Sequence, residues 1–288
     1  MMLKKLFALC ILASLIGCQD FGELNKIGSL TRSLSEVSGI ATFNNDSLIY
    51  AIADHGNPNT IYGINTRGKV MREIIIKNAP NEDWEDLATD YDGNLYISDT
   101  GNNENDRADQ FIYILDNFKN SISKADTLNA SKITFTLSDQ VNYPPNLSDL
   151  NFDIEALIYK ESYLYMFTRN RSRNFDGVTK VYKLPARPGD FEAQLIDSYT
   201  VCENLETCAV TGASLSPSGK TLILLTADKV LKFTGFEDEK FFSGYVQSIP
   251  FGNTSLKEGV PFKNDSILYV VDEIRAQTGG NLYEFNLY

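Results

Sequence analysis

The sequence predicts an all-β protein, a β-propeller of five blades. Three observations carry this. Almost nothing past residue 20 has helical periodicity. Short runs rich in Val, Ile, Leu and Tyr alternate with Gly, Asn, Asp and Pro, as strands and tight turns do. One pattern of inner strand, polar turn, second strand and third strand recurs five times. Its repeat of roughly 45–60 residues is the size of a propeller blade.

The chain opens with a leader rather than with a strand. Lys4 and Lys5 precede an apolar run, Leu6 to Ile16, that is too short for an ordinary membrane span. The run ends in Leu15-Ile16-Gly17-Cys18, which resembles the bacterial lipoprotein cleavage box. That resemblance implies a signal peptide over residues 1–17, cleavage before Cys18 and lipidation of its thiol. A short tether, 18–20, then leads into one domain, 21–288. Gln19 does not resemble the Asp that marks inner-membrane retention, so the expected location is the outer membrane. The rival for this segment is an ordinary secretory leader with a chance cysteine.

Five inner strands are expected, at Val37 to Phe43, Trp84 to Thr89, Ile154 to Tyr159, Val210 to Leu215 and Lys257 to Phe262. Each leads through a polar turn, such as Asp92-Gly93-Asn94, into a second strand. Third strands follow near Tyr62, Tyr113, Tyr182, Phe233 and Tyr283. Fourth strands are expected near Val70 to Ile76, Ile133 to Leu137, Gln194 to Tyr199 and Gly244 to Ile249. The last unit lacks one, and Phe21 to Leu30 has no unit of its own. That stretch is expected to supply the missing outer strand and close the ring, which leaves only short, protected edges. A sixth, divergent blade between Asn117 and Asp153 is the alternative count, and an irregular β-sandwich the alternative fold. Three short strands cannot bury both faces alone, so the units must form one cooperative domain.

Charge and cysteine content narrow the function. The formal net charge is −12, and −14 once Lys4 and Lys5 leave with the leader. Nucleic acid is excluded as a general partner, because phosphate contacts need clustered Lys and Arg. Membrane contact is expected through the lipid alone, and the body is expected to be a monomer. Cys10 leaves with the leader and Cys18 takes the lipid. Cys202 and Cys208 remain, and in an oxidising compartment they are expected to form a local disulfide. Two thiols with no nearby His make a poor zinc site.

The first two strands of a blade form a hairpin, so the start of one lies beside the end of the other. This places Glu85 and Asp86 near Asp99 and Thr100, Asp153 and Glu155 near Arg169, and Glu258 near Asp272 and Glu273. All of these points fall on one mouth of the channel. Oxygen ligands with abundant Asn suit Ca²⁺ or Mg²⁺. The candidate metal ligands are Glu85, Asp99, Asn102, Asn103, Glu155 and Glu258. The competing reading makes each Glu a lock within its own blade. Trp84 is expected to pack between blades, and the lone His55 to line the mouth. No Gly-x-Ser-x-Gly is present.

The runs DWEDLATDYDGNLYISDTGNN, SGI, DIEALIY, VTGASLSPSGKTL and KEGVPF resemble exported bacterial propellers. These are the SdiA-regulated and phytase-like esterase-type propellers, with gluconolactonase and NHL-type propellers more distant. The likeness covers nearly all of the mature chain through short blade motifs. It implies a first-strand Glu that holds a divalent metal: Glu85, Glu155 or Glu258, with Asp99 or Asp272 beside it. Glu36-Val37-Ser38-Gly39 stands where those propellers open on Glu-Gly-Pro. Two functions are therefore expected. The first is a cell-envelope lipoprotein that binds a small molecule or a protein at its acidic mouth. The second is a metal-dependent lactonase or phosphoesterase, with Asp99 or Asp272 as the base.

Overall fold

The structure, a computed structural model, describes residues 20–44, 46–276 and 278–288. The leader, Cys10, Cys18 and the first two tether residues lie outside the described residues. Among the described residues no helix is long and apolar enough to cross a membrane.

Successive strands fold up and down into antiparallel runs. The first run is Val37–Thr42, Ile49–Ala53, Thr60–Ile64 and Val70–Ile76. The second is Trp84–Thr89, Leu95–Asp99, Gln110–Leu115 and Ser131–Leu137. The third is Asp153–Lys160, Tyr163–Arg169, Val178–Pro185 and Gly189–Thr200. The fourth is Gly212–Leu215, Thr221–Leu225, Lys229–Thr234 and Tyr245–Pro250. The last begins with Lys257–Gly259 and Phe262–Asn264, both paired to Ile267–Asp272, and continues to Asn281–Asn286. Asn25–Ser29 then pairs antiparallel with Asn281–Asn286, Asn25 opposite Glu284.

The inner and middle strands of a run are buried on both faces. IYAIA, TIYGI and LYISD therefore read as nearly unbroken buried runs rather than as alternating ones. The outer strand Val70–Ile76 does alternate, because one of its faces meets water. Neighbouring runs supply the cover, and the core is divided among the gaps between them. Ile52 and Ile61 pack with Trp84 and Ile97 across the first gap. Phe167 and Val181 meet Leu222 and Phe233 across a later one. Tyr269 and Leu282 of the last run pack with Ile40 and Ala51 of the first. The innermost strands also touch in cyclic order, with Lys257–Gly259 against Val37–Thr42. Trp84 is fully buried in the first gap, and its indole N–H donates to the Pro80 carbonyl at 3.2 Å.

An innermost strand has a free edge with unpaired N–H and C=O groups, which need partners when shielded from water. Hydroxyls from neighbouring strands supply them. Ser38 Oγ donates to the Trp84 carbonyl at 2.6 Å, and Thr100 Oγ1 to the Ile154 carbonyl at 2.8 Å. Thr211 Oγ1 donates to the Lys257 carbonyl. Asp86 accepts from the N–H groups of Leu87 and Leu157, both at 2.8 Å, and so links the second run to the third.

One sequence expectation is corrected. The outer strand expected from Gln194 begins at Gly189, and its surplus half pairs in parallel with Ile133–Leu137. The second and third runs thereby join into one eight-stranded sheet. The stretch from Asn117 to Asp153 forms no four-stranded unit. It holds a short helix, Phe118–Ser121, then Thr127–Leu128 paired in parallel with Ile75–Ile76, then the outer strand Ser131–Leu137. A proline-containing loop follows. Cys202 and Cys208 are joined as a disulfide, with Cα atoms 5.5 Å apart.

Candidate functional site

Four of the innermost strands share an irregularity at their start. The pairing slips between Val37 and Gly39, Trp84 and Asp86, Ile154 and Ala156, and Lys257 and Gly259. The residue skipped each time is Ser38, Glu85, Glu155 or Glu258. A bulged residue leaves the ladder and bends its strand, so its side chain is re-aimed. Three bulges thus deliver a glutamate to one end of the channel. All three are buried, with Glu155 3% exposed and Glu85 and Glu258 7% each.

The bulge changes what the hairpin was expected to bring together. Trp84, not Glu85, lies opposite Asp99, and Asp86 lies opposite Ser98. Asp99 is turned into the blade, where its carboxylate accepts from the N–H groups of Glu82 and Asp83 and pairs with Arg107 at 3.0 Å. Asp272 is likewise engaged. It accepts from the Asn281 N–H at 2.8 Å, from Ser255 Oγ at 2.8 Å and from the Tyr283 hydroxyl at 2.9 Å. Asn102 donates its backbone N–H to Asp153 at 2.6 Å, while its own buried amide nitrogen has no partner among the described residues. Asn103 is exposed on the rim.

Glu155 sits between two arginines. Arg169 approaches it at 3.2 Å and reaches toward Glu258 at 3.8 Å. Arg171 bridges Asp153 at 2.6 Å and Glu155 at 2.7 Å. The Glu85 carboxylate makes no hydrogen bond or ion pair among the described residues, yet ligand atoms of Glu85, Asp153 and Glu155 lie within 4.8 Å of one another. Among the described residues this is the only group of three or more His, Cys, Asp and Glu so placed. Gly101 makes room for it, since a Cβ there would collide with the carboxylates of Glu85 and Asp83.

Burial and crowding push these acids toward their neutral forms. Burial raises Glu85 well above the usual carboxylate range, and Glu155, Asp83 and Asp153 add to the shift. Glu258 is raised well above it as well, by burial and then by Glu155. Glu155 is pushed up to about 7 by burial, against the pull of Arg169. Further out, Asp54 is also pushed up to about 7, by burial and by Glu273, Glu36 and Asp83. His55 is exposed beside it and bonds the Glu82 carbonyl through Nδ1 at 2.6 Å.

Glu85, Asp153, Glu155 and Glu258 therefore hold four formal negative charges against two guanidiniums. Asp83 beside them adds a fifth, so the cluster carries more negative charge than one divalent cation offsets. The donors are all oxygen, as Ca²⁺ and Mg²⁺ prefer, and their spacing is inside the roughly 5 Å that opposite ligands of a Ca²⁺ span. A carboxylate oxygen already accepting one hydrogen bond keeps a second lone pair for a metal. The sequence reading placed Asp153 at this mouth without counting it as a ligand, and it did not single out Asp83. Their signal was position, since each lies two residues before a channel glutamate.

At the other end of the channel lies a cavity of about 180 Å³, walled by Thr42, Leu87, Thr89, Leu157, Leu215 and Phe262. Tyr91 crosses its opening and donates to the Pro217 carbonyl at 3.0 Å.

Radial runs around a channel with a buried acidic end define a β-propeller. No family model matches the chain, and no curated protein matches it. Among solved structures it is similar to the PQQ-bound aldose sugar dehydrogenase of Streptomyces coelicolor. Identity is 9%, the TM-score is 0.50, and 91% of this chain and 97% of that one are covered. It also matches a chain of a nidogen/laminin complex at 11% identity and a TM-score of 0.45, covering 86% and 84%. At 9% identity the likeness to the dehydrogenase concerns the fold alone.

Proposed function

We propose that the protein is a cell-envelope lipoprotein, anchored through Cys18 in the outer membrane, whose propeller binds a divalent cation at its acidic mouth and, through it, an oxygen-bearing ligand. The ring has five blades, and Asn25–Ser29 closes it as the outer strand of the last. The cyclic packing of the innermost strands supports that count. The carrying observation for function is the Glu85 carboxylate, buried and unpartnered beside Asp153 and Glu155. Such a group is costly unless it binds a proton or a cation. Glu85, Asp153 and Glu155 hold the ion, Glu258 and Arg169 face it, and Asn102 fixes Asp153 from behind.

Binding is favoured over the hydrolytic reading because both candidate bases are committed. Asp99 is held by Arg107 and two backbone N–H groups, and Asp272 by three donors. The test is calcium titration of the chain lacking residues 1–18, followed by calorimetry and thermal unfolding. One saturable Ca²⁺ equivalent that stabilises the wild type and not Glu85→Gln is the expected result. No binding and no thermal shift with either Ca²⁺ or Mg²⁺ would sink the metal reading. Lipidation is tested apart from this: Cys18→Ser should release the protein from membranes, and unchanged retention counts against it.

A further inference from the structure

We propose that the acidic mouth opens toward the membrane that holds the anchor, with loop 251–256 the part of the body nearest the lipid. This rests on the lipidation of Cys18 proposed above. The chain is fixed to the body from residue 20 onward. The Asp20 carbonyl accepts from Asn253 Nδ2 at 2.9 Å, and the Glu23 N–H donates to the Phe251 carbonyl at 2.6 Å. Gly22 lies between them at φ +59°, where a Cβ would collide with the Phe251 carbonyl. Phe21 packs edge-on against Tyr283 with ring centroids 5.5 Å apart, and Leu24 is buried beside Phe251.

Cys18 lies only two residues before Asp20, and two residues span at most about 7 Å. A long flexible linker would leave orientation free, and here there is no length for one. Loop 251–256 belongs to the acidic face. Ser255 Oγ bonds Asp272 at 2.8 Å, the Leu256 carbonyl accepts from the Glu273 N–H at 2.9 Å, and Lys257 Nζ reaches Asn253 Oδ1 at 3.2 Å. Glu258 follows Lys257 directly. The turns at the other end of the blades, such as Asp92-Gly93-Asn94, lie a strand away, roughly 17–20 Å. A lipid within about 7 Å of Asp20 therefore faces the acidic end of the ring and not the Tyr91 end. Ligands reaching that mouth are then ones held at the bilayer surface.

Orientation can be read by quenching. The full-length lipidated protein, labelled at Thr254→Cys or at Asp92→Cys, is reconstituted into phosphatidylcholine–phosphatidylglycerol vesicles carrying a headgroup nitroxide lipid. Both positions are exposed, and Cys202 and Cys208 are consumed in the disulfide. The expected result is severalfold stronger quenching at 254 than at 92. A flexible Gly/Ser insert of about 20 residues between Gln19 and Asp20 should remove the difference. Equal quenching without the insert, stronger quenching at 92, or a difference that survives the insert would each overturn the proposal. Failure of the wild type to float with vesicles would instead defeat the lipidation reading.

Discussion

Both ends of the channel spend hydroxyls on structure, and only one adds poorly paired carboxylates. At the Tyr91 end the hydroxyls are spent on structure. Thr42 Oγ1 donates to the Phe262 carbonyl at 2.9 Å, Thr89 Oγ1 to the Thr42 carbonyl at 3.1 Å, and Ser214 Oγ accepts from the Phe262 N–H. At the acidic end the bulges aim glutamates into the channel and leave two of the three with little or no compensation. The same strands build both ends, so the difference comes from a slipped glutamate at the start of three of them. The lesson is that a repeated blade position stays structural while its group finds a partner, and where it does not the group is left free for the ligand proposed above.

Breaking the compensated part of the acidic end should have the largest effect. Glu155→Ala leaves the part-exposed Arg169 without its closest partner and Arg171 with Asp153 alone, so the cost should fall below the ~3–5 kcal/mol of a fully buried pair. Urea unfolding of the variant should show that cost. The neighbouring glutamate should respond with the opposite sign. Glu85→Gln removes an uncompensated charge, so in chelator it should raise the melting temperature rather than lower it. Destabilisation of that variant in chelator would show that Glu85 has a partner after all.

The pH dependence sharpens the same contrast. Glu155 and Asp54 have folded-state values near 7, above their ordinary 4.5 and 3.8. The folded protein therefore holds more protons than the unfolded chain between these limits, and stability falls as pH rises through that window. The metal-free melting temperature should drop from pH 5 to pH 8, and the stabilisation by Ca²⁺ should grow over the same range. A flat profile in scanning calorimetry would mean that these acids keep their ordinary values in the folded protein. The smallest effect is expected at the other end. Tyr91→Phe deletes one exposed hydrogen bond, worth about 0.5–1 kcal/mol at most, and should leave the Ca²⁺ response unchanged.

Much of the blade pattern was legible because it is local. Asp92-Gly93-Asn94 and Pro217-Ser218-Gly219 mark turns wherever they occur, and IYAIA or LILL can only be strands between them. The order in which Glu85, Glu155 and Glu258 appear also pointed to one end of the channel. The bulge was not legible, because register depends on what a strand pairs with. Without it Asp99 was placed beside Glu85, whereas it serves Arg107. The Arg171–Asp153 pair depends on the path of a long loop, and the parallel joining of Ile133–Leu137 to Gly189–Ala193 on contacts about 56 positions apart. Neither leaves a mark in nearby residues.

The pairing of Asn25–Ser29 with Asn281–Asn286 has a mechanical consequence. With the lipid on Cys18, as proposed above, force between membrane and body would enter at residue 20 and run into the strand Asn25–Ser29 that pairs with Asn281–Asn286. The contacts of Gly22 and Glu23 with loop 251–256 meet the load first, and the strand behind them takes it only when they yield. Single-molecule pulling through the N-terminus should then show two rupture steps, a weak one for the loop contacts and a stronger one for the strand, with the rest of the molecule opening at once after the second.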